Sequence, residues 1–117
     1  MNRLYLFILL TFTSFTFSQE YTAEQRERFA NMIFNVSGIV TDSETFEPLE
    51  YATISFKHKR IPDKIFGGVT DENGKFSVDV SPGMYNVEID YISFISYSNE
   101  NLIVRGNTNI GNVPLNL

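Results

Sequence analysis

Three short stretches of the chain hold side chains able to do chemistry. The first is Lys57-His58-Lys59-Arg60, which carries the chain's one histidine. A nucleophilic triad needs such a base beside a nucleophile and an orienting carboxylate. Here the flanking cations disfavour a protonated imidazole, and no Ser or carboxylate pairs with it by spacing. The reading is a solvated histidine at a strand end, and no catalytic residue is assigned. The second stretch is Asp71-Glu72-Asn73-Gly74. A calcium loop of the EF-hand kind needs a bidentate Glu six residues after its Gly, between helices. That position is Val80 and the flanks alternate like strands. The stretch reads instead as a hairpin turn, with Asn73 and Gly74 taking the positive φ of tight turns. No metal or cofactor is expected. The third is the basic run KHKRIPDK, which is the only positive cluster of an acidic chain. Lys57, Lys59, Arg60 and Lys64 are candidate contacts for an acidic partner or for lipopolysaccharide phosphates. The plainer reading is protection of a sheet edge, because lysines discourage edge pairing.

The elements that must hold these residues come in two kinds. Residues 20–34, EYTAEQRERFANMIF, have helical signals. Thr22 and Gln25 suit a capping box, and Glu24 can pair with Arg28 one turn on. Phe29, Met32 and Ile33 make one apolar stripe, so a helix is predicted over about Ala23 to Asn31. It reads as a lead-in packed on the domain edge, or as a docking helix.

From Phe34 the period becomes two. NVSGIVTD is a strand ending at Asp42, and SETFEPLEY is a loop. In ATISFKHK, Ala52, Ile54 and Phe56 share one face. RIPDK is a loop because Pro62 cannot donate to a ladder. IFGGVT resumes as a strand whose two glycines suggest a bulge or a close backbone approach. After the DENG turn, Phe76, Val78 and Val80 point one way. Pro82-Gly83 makes the next turn, with Pro fixing φ and Gly accepting a left-handed conformation. Tyr85, Val87, Ile89 and Tyr91 then face the core. FISYS and NLIVRG are strand material, and Val113, Leu115 and Leu117 share a side at the end. Tyr91, Phe94 and Tyr97 are either core or an exposed peptide- or glycan-binding strip. Seven short strands separated by turns predict an all-β, antiparallel Greek-key sandwich with a short N-terminal helix.

The chain has 117 residues, net charge −5 and no cysteine. One domain is the natural expectation. An acidic chain without a basic domain surface argues against nucleic acid or anionic lipid as partner. Residues 1–18 read as a signal peptide: Arg3 starts it, Leu4 to Phe17 is apolar or hydroxylic, and Thr16 and Ser18 suit cleavage before Gln19. The apolar stretch falls short of the about 20 residues of a spanning helix, so no transmembrane segment is expected after cleavage. Without cysteine, neither disulfides nor a lipoprotein anchor are available. Residues 19–34 follow as a lead-in and 35–117 as the sandwich. The expected location is exported: periplasmic or outer-membrane associated, or secreted.

Five turn motifs stand in order. They are Gly38-Ile39-Val40-Thr41-Asp42; Pro48-Leu49 with Ala52 and Ile54; Thr70-Asp71 with Gly74 and Phe76; Pro82-Gly83 with Tyr85 and Val87; and Tyr91-Ile92-Ser93-Phe94. In that order they resemble the carboxypeptidase-like regulatory domain, a transthyretin-like (prealbumin-like) β-sandwich, over about residues 36–117. The resemblance implies a non-catalytic accessory module. Such domains precede the plug and barrel of TonB-dependent outer-membrane receptors in Bacteroidetes-type bacteria, and they accompany carboxypeptidases. The structural turns it places are Asp71, Asn73, Gly74, Pro82 and Gly83. The KHKRIPDKIF link is longer than the family's usual one. The expected function is interaction or scaffolding at the cell envelope, with an outer-membrane receptor or a protease as partner, by edge-strand addition or through the helix. The alternative is a separated N-terminal domain of a TonB-dependent receptor. A remote alternative is a small hydrolase, since the transthyretin-like fold hosts a hydrolase of 5-hydroxyisourate. That enzyme uses several histidines, and a carboxypeptidase zinc site needs a His-and-Glu set, which a lone His58 does not supply.

Overall fold

The computed structural model describes residues 22–117. The signal peptide expected over residues 1–18, and the first residues of the lead-in, lie outside the described residues.

Helix α1 spans Ala23–Ala30. Its capping box forms as the sequence predicts. The Thr22 hydroxyl accepts from the Gln25 N–H at 3.2 Å, and the Gln25 side chain accepts from the Thr22 N–H at 3.0 Å. Arg28 donates to Glu24 across one turn at 2.6 Å. The apolar stripe, however, finds little cover: Phe29, Met32 and Ile33 are all exposed, and the helix buries no residue. Phe29 meets the Phe34 ring at 6.3 Å between centroids.

Seven strands follow: β1 (Phe34–Asp42), β2 (Thr53–His58), β3 (Ile65–Val69), β4 (Lys75–Val80), β5 (Gly83–Asp90), β6 (Tyr97–Val104) and β7 (Thr108–Leu115). They form a three-stranded sheet in the order β4-β1-β7 and a four-stranded sheet in the order β3-β2-β5-β6. The predicted sandwich is therefore the observed architecture. One pairing differs from the expected antiparallel scheme, because β1 and β7 run parallel. The reason is parity. Each link reverses the chain, so odd-numbered strands share one direction and even-numbered strands the other. Every other neighbouring pair joins an odd strand to an even one, and β1–β7 joins two odd ones.

Alternation fills the space between the sheets as predicted. Val36 and Val40 come from β1, Ile54 and Phe56 from β2, Phe76 to Val80 from β4, and Tyr85 to Ile89 from β5. Burying each such side chain contributes about 1.5–3 kcal/mol. Val113 and Leu115 join this core, but Leu117 is exposed beyond the end of β7. The glycines of β3 mark no bulge, since its register with β2 is unbroken. They mark a close approach: a Cβ on Gly68 would stand 2.9 Å from the Val78 side chain.

Two turns read as hairpins are instead crossings between the sheets. Asp71–Gly74 leads from β3 in one sheet to β4 in the other, and Ser81–Pro82 leads from β4 back to β5. The local turn chemistry still holds. The Asp71 carboxylate accepts from the Asn73 and Lys75 N–H groups at 2.9 and 3.0 Å, and Gly74 takes φ +71°. Asn73, expected to share the positive φ, does not. Gly74 must be glycine, because a Cβ there would meet the Val40 carbonyl at 2.5 Å. Gly83 takes φ +153° and lies against the His58 ring, so a side chain there has no room. Alternation along a strand does not say which sheet the next strand joins, and that is why these turns read as hairpins.

Candidate functional site

The reversing chain gathers three links at one end of the sandwich: 43–52 between β1 and β2, 70–74 between β3 and β4, and 91–96 between β5 and β6. The C-terminus after β7 joins them. Ser43 N–H bonds the Leu115 carbonyl, the Ser43 hydroxyl bonds the Asn116 side chain, and Ile95 N–H bonds the Asn116 carbonyl at 2.7 Å. Asn116 thus ties the first and third links together.

Polar groups within and between the links hold them. In the first, the Asp42 carboxylate accepts from the Glu44 N–H at 2.8 Å, and the Phe46 N–H bonds the Asp42 carbonyl at 3.0 Å. The turn between is thereby closed. Buried Thr70 then holds the far side. Its hydroxyl donates to the Leu49 carbonyl at 2.5 Å and accepts from the Ala52 N–H at 2.8 Å, while its carbonyl accepts from Tyr51. In the third link Ser96 bonds Asp90, and the Tyr91 and Phe94 rings meet edge-on at 5.3 Å.

On this pinned scaffold stand large apolar side chains turned to solvent: Phe46 is 78% exposed, Tyr51 72%, Ile92 83% and Ile95 64%. Among the described residues, the non-glycine residues with positive φ are Phe46 (62°), Tyr51 (65°) and Ser93 (67°), and all three lie in these links. For bulky residues that conformation is strained. Tyr51 and Ile92 line one surface pocket with Glu50, Thr53, Asp90 and Tyr91. The three links contain no Lys or Arg, but they contain Glu44, Glu47, Glu50, Asp71 and Glu72. The end therefore combines exposed apolar side chains with acidic residues. Tyr91, Phe94 and Tyr97 are partly buried against the core, so they support this end from below.

The opposite end is basic. Lys57, Lys59, Arg60 and Lys64 lie there, but they do not form one patch. Lys57 is on β2, exposed on the outer face of the four-stranded sheet. Lys59 reaches the Asn101 side chain at 3.0 Å, and Arg60 lines a pocket with Phe29, Met84 and Arg105. The edge-protection reading does not fit Lys57, because β2 is an inner strand.

His58 is packed rather than solvated. Its Nδ1 accepts from the Arg60 and Ile61 N–H groups, both at 3.1 Å, and its ring meets Tyr85 edge-on at 5.2 Å. Burial, then the Lys64 and Arg60 charges, lower its pKa below the usual histidine value. A proton on Nδ1 would also face two N–H donors. The neutral ring thus closes the β2–β3 link. Tyr85 is likewise structural: its hydroxyl donates to the Ser81 carbonyl at 2.7 Å, and burial raises its pKa although the Ser81 hydroxyl opposes the shift. Among the described residues, no group of three or more His, Cys, Asp or Glu is placed to hold a metal ion. No described helix is long and apolar enough to cross a membrane.

Comparison with family models matches residues 35–116 to the carboxypeptidase regulatory-like domain. The chain belongs to that family. The comparison with curated proteins finds no match. Solved structures share the fold. A chain from a type II cohesin–X-dockerin complex of Acetivibrio cellulolyticus is similar with TM-score 0.57 and 22% identity, over 70% of this chain and 56% of that one. The TIE protein of Bacillus anthracis is similar with TM-score 0.54 and 15% identity, over 72% of this chain and 16% of that one. This chain therefore spans about half the length of the first and a small part of the second.

The apolar, acidic end was not singled out from the sequence. Its one sequence signal is the run of five acidic residues without a cation across three links that also carry Phe46, Tyr51, Ile92 and Ile95.

Proposed function

We propose that this carboxypeptidase regulatory-like domain is an exported, non-catalytic module that docks a protein partner at the bacterial cell envelope through its apolar, acidic end. The observation that carries this reading is the exposure of Phe46, Tyr51, Ile92 and Ile95 on links pinned by hydrogen bonds. Exposed apolar groups ringed by polar ones mark interaction surfaces, and pre-ordered loops lose little entropy on binding. The acidic residues of the same links favour a partner face that combines apolar side chains with Lys or Arg. Export rests on the signal-peptide pattern of residues 1–18. The non-catalytic reading rests on the family and on His58 and Tyr85 being engaged in structure.

The test has two parts. The tagged full chain is expressed in a Bacteroidetes-type host, and its exported form is sized by mass spectrometry. The expected product begins at Gln19, and a full-length product in the cytoplasm overturns export. The exported chain and a Phe46→Ser/Ile92→Ser/Ile95→Ser variant of equal melting temperature are then compared for partner retention from the envelope fraction. Loss of the retained protein in the variant, and its release by salt, are expected. Equal retention by both overturns docking at this end.

A further inference from the structure

A second surface lies along β3, away from the loop end. The hydrogen bonds around the β2–β3 pair fix which way its backbone groups point. His58 N–H bonds the Lys64 carbonyl at 3.0 Å, and Thr70 N–H bonds the Ala52 carbonyl at 2.9 Å. The register between these pairs is unbroken: Ile54 faces Gly68, and Phe56 faces Phe66. In an antiparallel ladder, bonded and non-bonded pairs alternate. The even-numbered residues of β3 therefore point their N–H and C=O groups at β2. Ile65, Gly67 and Val69 point theirs outward, along the free edge of the four-stranded sheet. Among the described residues, no other backbone or side-chain group bonds them.

The other three edges carry devices against pairing. β4 has Lys75 and Asp79, β6 has Glu100, and β7 has Pro114 and a positive φ at Gly111. Charges, proline and irregular backbone all discourage strand addition. β3, with the sequence IFGGV, has none of them. Ile65 and Val69 are also exposed on its outer face, and Gly67 between them leaves a gap. Each flanking side chain stands about 6.6 Å from that gap along the strand. The Ile65 end is positive: Lys57 is the cross-strand partner of Ile65 and Lys64 precedes it, against the single acid Asp63 in the link.

We infer that the β3 edge accepts an extended segment of another protein, which adds as an antiparallel strand with a large apolar side chain over Gly67 and acidic residues at its C-terminal end beside Lys57 and Lys64. Up to six main-chain hydrogen bonds supply the attraction, and the gap and the cations supply the selectivity. Antiparallel addition places the segment's C-terminus at the Ile65 end.

The probe is a capped peptide, Val-Thr-Phe-Thr-Asp-Asp, added to the full exported chain with amide exchange read by NMR. The Ile65, Gly67 and Val69 amides should exchange fast in the free chain and slow by on the order of tenfold with peptide. A peptide with Lys for both Asp should bind on the order of tenfold more weakly. Gly67→Pro removes an outward donor and should abolish binding. Lys57→Glu/Lys64→Glu leaves the backbone untouched and should reverse the peptide preference, which keeps the test open if the proline variant fails to fold. Phe46→Ser should change nothing here, so failure of this inference and failure of docking at the loop end are separable. Slow exchange of the three amides in the free chain, protection elsewhere, or equal binding of both peptides overturns the inference. So does a dimer in sedimentation that Gly67→Pro dissociates, because it assigns the edge to a second copy.

Discussion

Replacing Tyr51 by glycine should remove a docking group without weakening the fold. Tyr51 holds φ 65° with 72% of its surface exposed. The positive φ costs a side-chain-bearing residue about 1–2 kcal/mol, and glycine escapes that cost. Glycine in turn loosens the unfolded chain, which costs about 0.5–1 kcal/mol. So exposed a ring contributes little by burial. The balance lies between zero and a gain of about 1.5 kcal/mol. Urea unfolding measures it: with a slope of about 1 kcal/mol/M for a domain of this size, the midpoint stays put or rises by up to ~1.5 M. Phe46→Gly, at φ 62°, should behave alike. Ile92→Gly is the control, because Ile92 is more exposed yet has no positive φ; it should lose about 0.5–1 kcal/mol. If Tyr51→Gly instead loses more than about 1 kcal/mol, the ring is a structural group and the argument from strain to docking fails.

Two further outcomes follow from buried polar contacts. Thr70→Val keeps the shape but strands the Leu49 carbonyl and the Ala52 N–H, at about 1–3 kcal/mol each, whereas Thr70→Ser retains most stability; chemical unfolding of both variants checks this. His58 has a lowered folded pKa, so the unfolded chain binds more protons below the ordinary histidine value of 6.5. Its contribution is therefore complete above that pH and declines as pH falls through it towards the lowered folded value, under the influence of burial, Lys64 and Arg60. His58→Asn retains an acceptor for the Arg60 and Ile61 N–H groups and should flatten that part of the stability–pH curve; an unchanged curve would refute the assignment.

The sandwich was legible because its core is written at period two. Val36, Ile54, Phe56, Val78, Val87 and Ile89 each occupy the inward position that alternation assigns. The capping box was legible for the same reason: it is a contact between near neighbours. The sheet membership of β4 was not legible, because a turn such as Asp71–Gly74 has the same local chemistry whether the next strand pairs with the last or crosses above it. Nor could the lysine run be read as scattered, since spacing in a loop does not fix direction. The loop end was hidden most deeply. The link SETFEPLEY has no glycine, so no residue type in it marks Phe46 or Tyr51 for a positive φ. Tyr51 is held from outside its link, its N–H bonding the Thr70 carbonyl, whereas Phe46 is held within the turn by its N–H bond to the Asp42 carbonyl. A residue type that resists a conformation, held there by a partner 19 positions on, as Tyr51 is by Thr70, is invisible to any local pattern. The same mismatch is what gives these two aromatics their meaning, because a glycine would fit either position better and only the exposed ring gives a reason to keep it.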